Sequence, residues 1–407
     1  MQGSHVTVED VRHYINGEFV PSLNGRRFEN RNPYNDEIIN RVSEGAEEDV
    51  GRAVEAARRA FTDGPWRTMR TQERLSLVES LAERILAAYD EIAYLGSLDM
   101  GLPIAQTKGL ALWAADVIRT TVQHVRTHVI GDAYRVDGSY LNYTVYQPIG
   151  VTGLITPWNA PFLMEVSKVA AALATGNTCV LKPAEWSPLA AHKLAQIIHE
   201  AGFPPGVFNV VHGIGETAGA ALVAHPDVRL ISFTGETRTG AAILKNGADS
   251  LKRFSMELGG KSPVIVFDDA NLELALDAVV WGIFGANGER CTANSRLFIQ
   301  DRMYETFVGQ LKRRVHRIRV GDPLDPQTEL GPLVHRQHAE RVRSYLDSAR
   351  AEGAELYMPE LPDPVRGRFN FVPPTLILRA RNDMTAAQEE IFGPVLTIIP
   401  FSGEEDV

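Results

Sequence analysis

Val151-Thr152-Gly153-Leu154-Ile155-Thr156-Pro157-Trp158-Asn159-Ala160-Pro161 opens the part of the chain whose reading decides the fold. The apolar and β-branched run Val151 to Thr156 is too short for a helix, and Pro157 closes it, so it reads as a buried strand. A helical stretch, Val166 to Thr175, follows, and the alternation then repeats. Thr178 to Leu181 reads as a strand, Pro188 to Ala201 as a helix, and Val207 to Val211 as a strand. Thr217 to Ala224 is a helix, Leu230 to Phe233 a strand, Thr239 to Ala248 a helix, and Arg253 to Met256 a closing strand. Strand–helix alternation with short connections is the mark of a parallel sheet covered on both faces, so the fold class is α/β. Ligands of such sheets sit at the carboxyl ends of the strands, which makes the polar residues there the ones to read.

The preceding part reads as scaffold. Tyr14-Ile15, Asn16-Gly17 and Phe19-Val20 spell a hairpin, because both residues of Asn-Gly accept positive φ. Val50, Ala53, Val54, Ala57 and Phe61 form one helical stripe, and Leu75, Val78, Leu81, Ala82 and Ile85 a second. A third helix is predicted from Ile104 to His128. Tyr140 to Gln147 alternates aromatic and β-branched residues with polar ones, which predicts an extended ribbon with one exposed face that pairs with another subunit. After Gly260 a second α/β unit begins, with Val264 to Phe267 and Arg296 to Ile299 as strands around an apolar helix, Leu272 to Phe284. A chain of 407 residues exceeds one ordinary core. Two domains are expected, 1–258 with the ribbon at 137–148, and 259–407.

The formal net charge of −10 argues against a nucleic-acid partner. The basic run Lys312-Arg313-Arg314 with His316, Arg317 and Arg319 reads as a solvated helix face, since Val315 and Ile318 recur at helical spacing. Two distant cysteines give no disulfide framework and no zinc spacing, and the eleven histidines read as scattered, so no metal is expected. Met1-Gln2-Gly3-Ser4-His5 is polar and no apolar run reaches membrane-spanning length, so neither a secretion signal nor a membrane partner is expected. The resulting expectation is a cytoplasmic protein with free thiols.

Of the two cysteines, Cys179 lies within a predicted buried strand and reads as a small inert hydrophobe. Cys291 ends Asn287-Gly288-Glu289-Arg290-Cys291-Thr292, where loop-type residues would leave the sulfur accessible, and it is the candidate nucleophile. The strand ends supply its surroundings in order: Thr156-Pro157-Trp158-Asn159, Lys182-Pro183-Ala184-Glu185, His212-Gly213-Ile214-Gly215, Phe233-Thr234-Gly235-Glu236, and Glu257-Leu258-Gly259-Gly260-Lys261. A Gly-x-Gly-x-x-Gly fingerprint is absent, because Gly213, Gly215 and Gly219 have the wrong spacing.

Pro157-Trp158-Asn159, Lys182-Pro183-Ala184-Glu185, Phe233-Thr234-Gly235, Glu257-Leu258-Gly259-Gly260-Lys261, the Cys291 loop and Glu389-Glu390-Ile391-Phe392-Gly393-Pro394 together resemble the aldehyde dehydrogenase superfamily, in the family's order and over nearly the whole chain. Within it, Gly101-Leu102-Pro103-Ile104, Leu141-Asn142-Tyr143-Thr144 and Asn287-Gly288-Glu289-Arg290-Cys291-Thr292-Ala293 are similar to the 5-carboxymethyl-2-hydroxymuconate semialdehyde dehydrogenases of aromatic-compound catabolism. The resemblance implies a Rossmann-like NAD domain followed by an α/β catalytic domain, an aldehyde as small-molecule substrate, and a homodimer or homotetramer.

It also implies roles for individual residues. Cys291 would add to the aldehyde carbonyl. Asn159 would donate to the developing oxyanion, worth about 3–4 kcal/mol in the transition state, or cap the helix that starts near Pro161. Glu257 would be the general base that activates water to hydrolyse the thioester, from a partly apolar site that raises its pKa. Lys182 and Glu185 would hold the adenosine ribose, the carboxylate favouring NAD over NADP. Thr156, Pro157, Trp158, Gly215, Gly219, Thr234, Gly235, Glu236, Thr239, Gly240 and Leu258 would line the dinucleotide path, with a helix N-terminus at the pyrophosphate. Glu236 stands where the family commonly has serine, so its side chain either points away or caps the helix. Glu390 and Phe392 would contact the nicotinamide ribose and ring. Arg290 either pairs with a substrate carboxylate, which would select a dicarboxylic semialdehyde, or faces a neighbouring loop. Family members continue beyond Asp406-Val407, so the catalytic domain is expected to be C-terminally incomplete, as a fragment of a longer chain or, alternatively, as a natural inactive short form. Two other functions stay open: an NAD(P)-dependent aldehyde dehydrogenase of other substrate range, and a non-catalytic protein on the same scaffold.

Overall fold

The short β-branched runs become strands buried on both faces: Val151–Ile155 and Thr178–Lys182 are buried at every residue. The computed structural model describes residues 8–129, 131–135 and 138–407. The polar start Met1 to His5, and Asp137 at the head of the expected ribbon, lie outside the described residues.

The chain divides into two compact units. The first comprises residues through Arg31, Ile38–Gly96 and Lys108–Glu257; the second comprises Asn32–Glu37, Ser97–Thr107 and Leu258–Val407. Neither unit is therefore one unbroken stretch.

The first unit is built on a seven-stranded sheet in the order Arg253–Glu257, Val228–Thr234, Val151–Ile155, Thr178–Lys182, Phe208–Val210, His13–Ile15 and Glu18–Val20. The first five are parallel, and the Asn16-Gly17 hairpin closes the edge antiparallel, both turn residues having positive φ. Helices Pro161–Ala174 and Pro188–Glu200 each start with proline, whose fixed φ suits the first helical position. That is why the helix expected from Val166 begins at Pro161: proline sets the start, and apolar periodicity becomes readable only a turn later.

The second unit has a five-stranded sheet in the order Pro263–Val266, Arg296–Gln300, Val395–Phe401, Thr375–Leu378 and Glu355–Tyr357, the last antiparallel. Its strands feed two cores by alternation. Leu297 and Ile299 pack with Ile283 and Phe307, whereas Phe298 between them packs with Val342 and Leu346.

Three expectations need correction. Helix Tyr89–Met100 was not foreseen, because Gly96 and Ser97 interrupt an apolar stripe that Ile92, Leu95 and Leu98 nonetheless bury. Of Tyr140 to Gln147, only Leu141–Tyr143 is a strand, paired with Ala133–Arg135, and all three of its residues are exposed rather than one face alone. Both strands of this ribbon are exposed along their described residues. His124 and His128, read as scattered, lie one turn apart on helix Ile104–His128 and stack with centroids 4.6 Å apart. Among the described residues no group of three or more His, Cys, Asp and Glu is arranged to hold a metal, and no helix is long and apolar enough to cross a membrane.

Asn177 ties two central strands at their starts. Its Oδ1 accepts from the N–H groups of Ile149 (2.7 Å) and Gly150 (3.1 Å), and its carbonyl accepts from Trp66 Nε1. Asn177→Ala strands two backbone donors, and urea unfolding should show a loss of about 3 kcal/mol; a loss below about 1 kcal/mol would mean that water replaces the amide.

Candidate active site

Parallel register brings the polar strand ends of the first unit to one edge of the sheet. Thr234 pairs with Glu257, Phe233 with Ile155, and Ile155 with Lys182. Glu257, Thr234, Thr156 and Lys182 therefore stand at the carboxyl ends of four consecutive strands. Lys182 is buried and its Nζ lies 3.1 Å from Glu185. Gly215–Gly219 is a π-helical turn leading into helix Ala220–Ala224, and a side chain added at Gly215 would meet open space. The hydroxyls of Thr156 and Thr234 are buried and have no hydrogen-bond partner among the described residues. Orphaned donors, a lysine–carboxylate pair and open space at a glycine turn are what a polar, phosphate-bearing ligand requires, so these residues fit a dinucleotide.

Several expectations change here. Asn159 is half-buried and stands one position before Ala160, the N-cap of helix Pro161–Ala174, whose own side chain makes no cap bond. Glu236 does occupy the N-cap of helix Thr237–Gly247, yet its carboxylate makes no cap bond and lies 3.6 Å from Arg238. The remaining glycines and Thr239 fall on the turn and helix that follow Thr234, with Gly235 N–H donating to the Glu257 carbonyl and Gly240 N–H to that of Glu236. Glu257 is exposed rather than set in an apolar site, because its strand is the sheet edge. Sequence reading missed Lys168 beside it. Its Nζ donates to Ser232 Oγ (2.8 Å), and burial lowers its pKa to about 8 against the pull of Glu257.

In the second unit the helix Leu272–Phe284 ends at Gly285, and Ala286, Asn287 and Gly288 follow with φ of 52°, 56° and 71°. Three left-handed residues in a row need support. Asn287 supplies it: Nδ2 donates to the carbonyls of Gly101 (3.2 Å) and Pro332 (3.0 Å), and Oδ1 accepts from Gly331 N–H (2.8 Å). A Cβ on Gly288 would fall 2.1 Å from the Gly393 carbonyl oxygen, so only glycine fits there. Glu289 is buried, its Oε1 accepting from Val334 N–H (3.1 Å), and burial pushes its carboxyl well above the usual range. Arg290 Nη2 donates to the carbonyls of Trp281 (2.9 Å) and Gly282 (2.7 Å) at the helix C-terminus, where the helix dipole favours a cation. Of the two readings of Arg290, the geometry favours the neighbouring backbone over a substrate carboxylate. Cys291 itself is exposed.

Three other predicted residues, Leu258, Glu390 and Phe392, belong to the same unit as this loop. Glu390 Oε1 accepts from Gly260 N–H (3.2 Å), and a Cβ on Gly259 would fall 1.9 Å from Glu390 Oε2. A Cβ on Gly260 would lie 3.7 Å from the Cys291 carbonyl oxygen. Leu258 begins this segment, half-buried, and Phe392 is half-buried with φ of 60°. Charged Glu289 reads as a loop residue from the sequence; besides the nearby Asn287 side chain, its partners Val334 and His338 lie more than forty residues away, where no local pattern points to them. Cys179 is fully buried and its thiol is pushed up by burial, so only Cys291 should react in the native protein. Titration with a chromogenic disulfide should find one reactive thiol in the folded chain, two on denaturation, and none in folded Cys291→Ala.

The aldehyde dehydrogenase family model matches residues 19–407. The 5-carboxymethyl-2-hydroxymuconate semialdehyde dehydrogenase of Escherichia coli is 45% identical over 405 residues, covering 98% of this chain and 85% of the relative. The crystal structure of HpcC from Thermus thermophilus superposes with a TM-score of 0.93 at 48% identity, covering 97% of this chain and 78% of that one. Betaine aldehyde dehydrogenase from Staphylococcus aureus, solved in complex with NAD+, superposes with a TM-score of 0.93 at 36% identity, covering 97% and 79%. With the nucleophile loop and the polar strand ends in place, the conclusion is that this chain belongs to the aldehyde dehydrogenase family.

Proposed function

We propose that this chain, an NAD-dependent member of the aldehyde dehydrogenase family, oxidises a semialdehyde of aromatic-compound catabolism to the carboxylic acid through a thioester on Cys291. The observation that carries the reading is the state of the nucleophile loop. Asn287, Gly288 and Glu289 are buried, while the sulfur that follows is exposed. A structural cysteine has no need of such a mount. The substrate class follows the similarity to the Escherichia coli enzyme, whose name specifies a carboxylated semialdehyde.

In this reading the Cys291 thiolate adds to the carbonyl carbon, and the oxygen becomes an oxyanion held by the Asn159 amide. Bound NAD supplies the hydride acceptor. Thr156, Lys182, Glu185, Gly215 and Thr234 would hold its adenosine ribose and phosphates, and Glu390 and Phe392 are the residues proposed for its nicotinamide ribose and ring. Loss of hydride from the tetrahedral adduct leaves the thioester. Glu257 then takes a proton from water, the hydroxide adds to the thioester carbonyl, and the Cys291 thiolate departs from the acid. An exposed carboxylate at the sheet edge suits this step, because it meets water directly. The ammonium of Lys168 lies close enough to attract it. The protein works in a reducing cytoplasm, and its full-length form as a homodimer or homotetramer, with the exposed ribbon Ala133–Arg135 and Leu141–Tyr143 as the pairing element.

Two kinetic outcomes test the assignment. Asn159→Ala should lower kcat by about 100- to 1,000-fold, the usual effect of removing one oxyanion donor. Arg290→Ala should reduce kcat/KM by one common factor on neutral and carboxylated aldehydes, because the guanidinium serves the helix end. A loss confined to carboxylated aldehydes would restore Arg290 as a substrate ligand. NADH formation persisting in Cys291→Ala would overturn the reading as a whole.

A further inference from the structure

Helix Arg336–Ala351 belongs to none of the motifs that carry the family resemblance, yet one of its side chains lies between two of them, the Cys291 loop and Glu389 to Pro394. His338 is buried at 8% exposure, and its Nε2 is 2.7 Å from the carbonyl oxygen of Phe392 and 3.6 Å from Glu289 Oε1. A carbonyl only accepts, so Nε2 carries the hydrogen and the ring is the Nε2–H tautomer. Burial lowers the His338 pKa to about 4, which keeps the imidazole neutral at neutral pH. Its placement is fixed from the other end as well. The His338 backbone N–H donates to His335 Nδ1 (3.1 Å), and this cap sets the start of the helix.

Both elements that meet at His338 are under constraint. Phe392 is a non-glycine residue at φ 60°, a conformation that a residue with a Cβ holds only when its surroundings impose it. Its carbonyl direction is what the Nε2–H bond fixes. Glu289 stands two positions before Cys291 and shares the same nitrogen's surroundings, while its Oε1 also takes Val334 N–H. Gly288 and Gly393 touch along their backbones just beside this point. The imidazole is thus a side-chain link beside the backbone contact of Gly288 with Gly393.

We propose that His338 is a positioning residue that joins the loop bearing Cys291 to the loop bearing Glu390 and Phe392, so that nucleophile and nicotinamide-side contacts keep one spacing. The assignment rests on the reaction proposed above, but its structural half does not need turnover to be tested. His338 touches no reacting atom. It acts through the Phe392 carbonyl and the Glu289 carboxyl.

The test compares full-length wild type, His338→Phe and His338→Gln. Glutamine keeps an N–H donor at similar reach, and phenylalanine keeps volume without one. Amide hydrogen exchange should rise about tenfold in His338→Phe, the opening expected from one lost hydrogen bond of ordinary strength, at residues 286–293 and 389–394 together. His338→Gln should stay within about twofold of wild type if its amide replaces that bond. In turnover, the KM for NAD should rise in His338→Phe while the KM for aldehyde stays level, and His338→Gln should recover it. Loosening of one loop alone, or a glutamine variant as loose as phenylalanine, overturns the proposal. Should His338→Phe fail to fold, His338→Asn, whose amide falls short of the carbonyl, takes its place with the same outcomes. Coupled loosening without any aldehyde oxidation in wild type would uphold the link and defeat only the reaction reading.

Discussion

The Asn287 amide is the interaction on which the rest of the second unit's site depends. One side chain satisfies two carbonyls and one N–H drawn from residues 101 and 331–332, while its own backbone sits at φ 56°. Each bond contributes about 1 kcal/mol net, and each buried group left without a partner costs about 1–3 kcal/mol. The turn is therefore held far more firmly than its left-handed backbone would hold itself. Because the turn is fixed, Gly288 can press against Gly393, Glu289 can be buried, and the chain can emerge at Cys291 with its sulfur exposed. Arg290 completes the mount by fastening to the end of the preceding helix.

The first unit solves a different problem by register. Its sheet needs no special turn to gather Glu257, Thr234, Thr156 and Lys182, because parallel strands in register end at one edge. A slip of one residue in any of them would turn its polar end toward the opposite face. Full burial of Val151–Ile155 and Thr178–Lys182 opposes such a slip, since every residue is already committed to a packed layer. Chemistry at the edge is thus guaranteed by hydrophobic burial behind it. Asn177 adds a polar lock at the other end of the same two strands.

What was legible in the sequence follows from how local each signal is. Strands such as Thr178–Lys182, the Asn16-Gly17 turn and the helix Leu272–Phe284 are written in adjacent residues, and they stand where the pattern places them. The helix at Pro161 was placed late because its first turn carries its signal in a proline rather than in apolar periodicity. Glu289 and His338 were illegible for a stronger reason. A charged residue in a loop and a histidine on a polar helix read as solvated, and the contact between them joins positions some 50 residues apart in the chain. Arg290 shows the converse: adjacency to Cys291 suggested a ligand, and the nearest acceptors were the carbonyls of the helix just behind it.

The division of roles between Cys291 and Glu257 is the central claim, and pre-steady-state NADH formation by Glu257→Gln tests it most directly. With the base removed, the first turnover should form one NADH per intact site and then stall, with the acyl group still attached to Cys291 in the mass spectrum. Steady turnover at the wild-type rate, or a burst without acylation of Cys291, would contradict it.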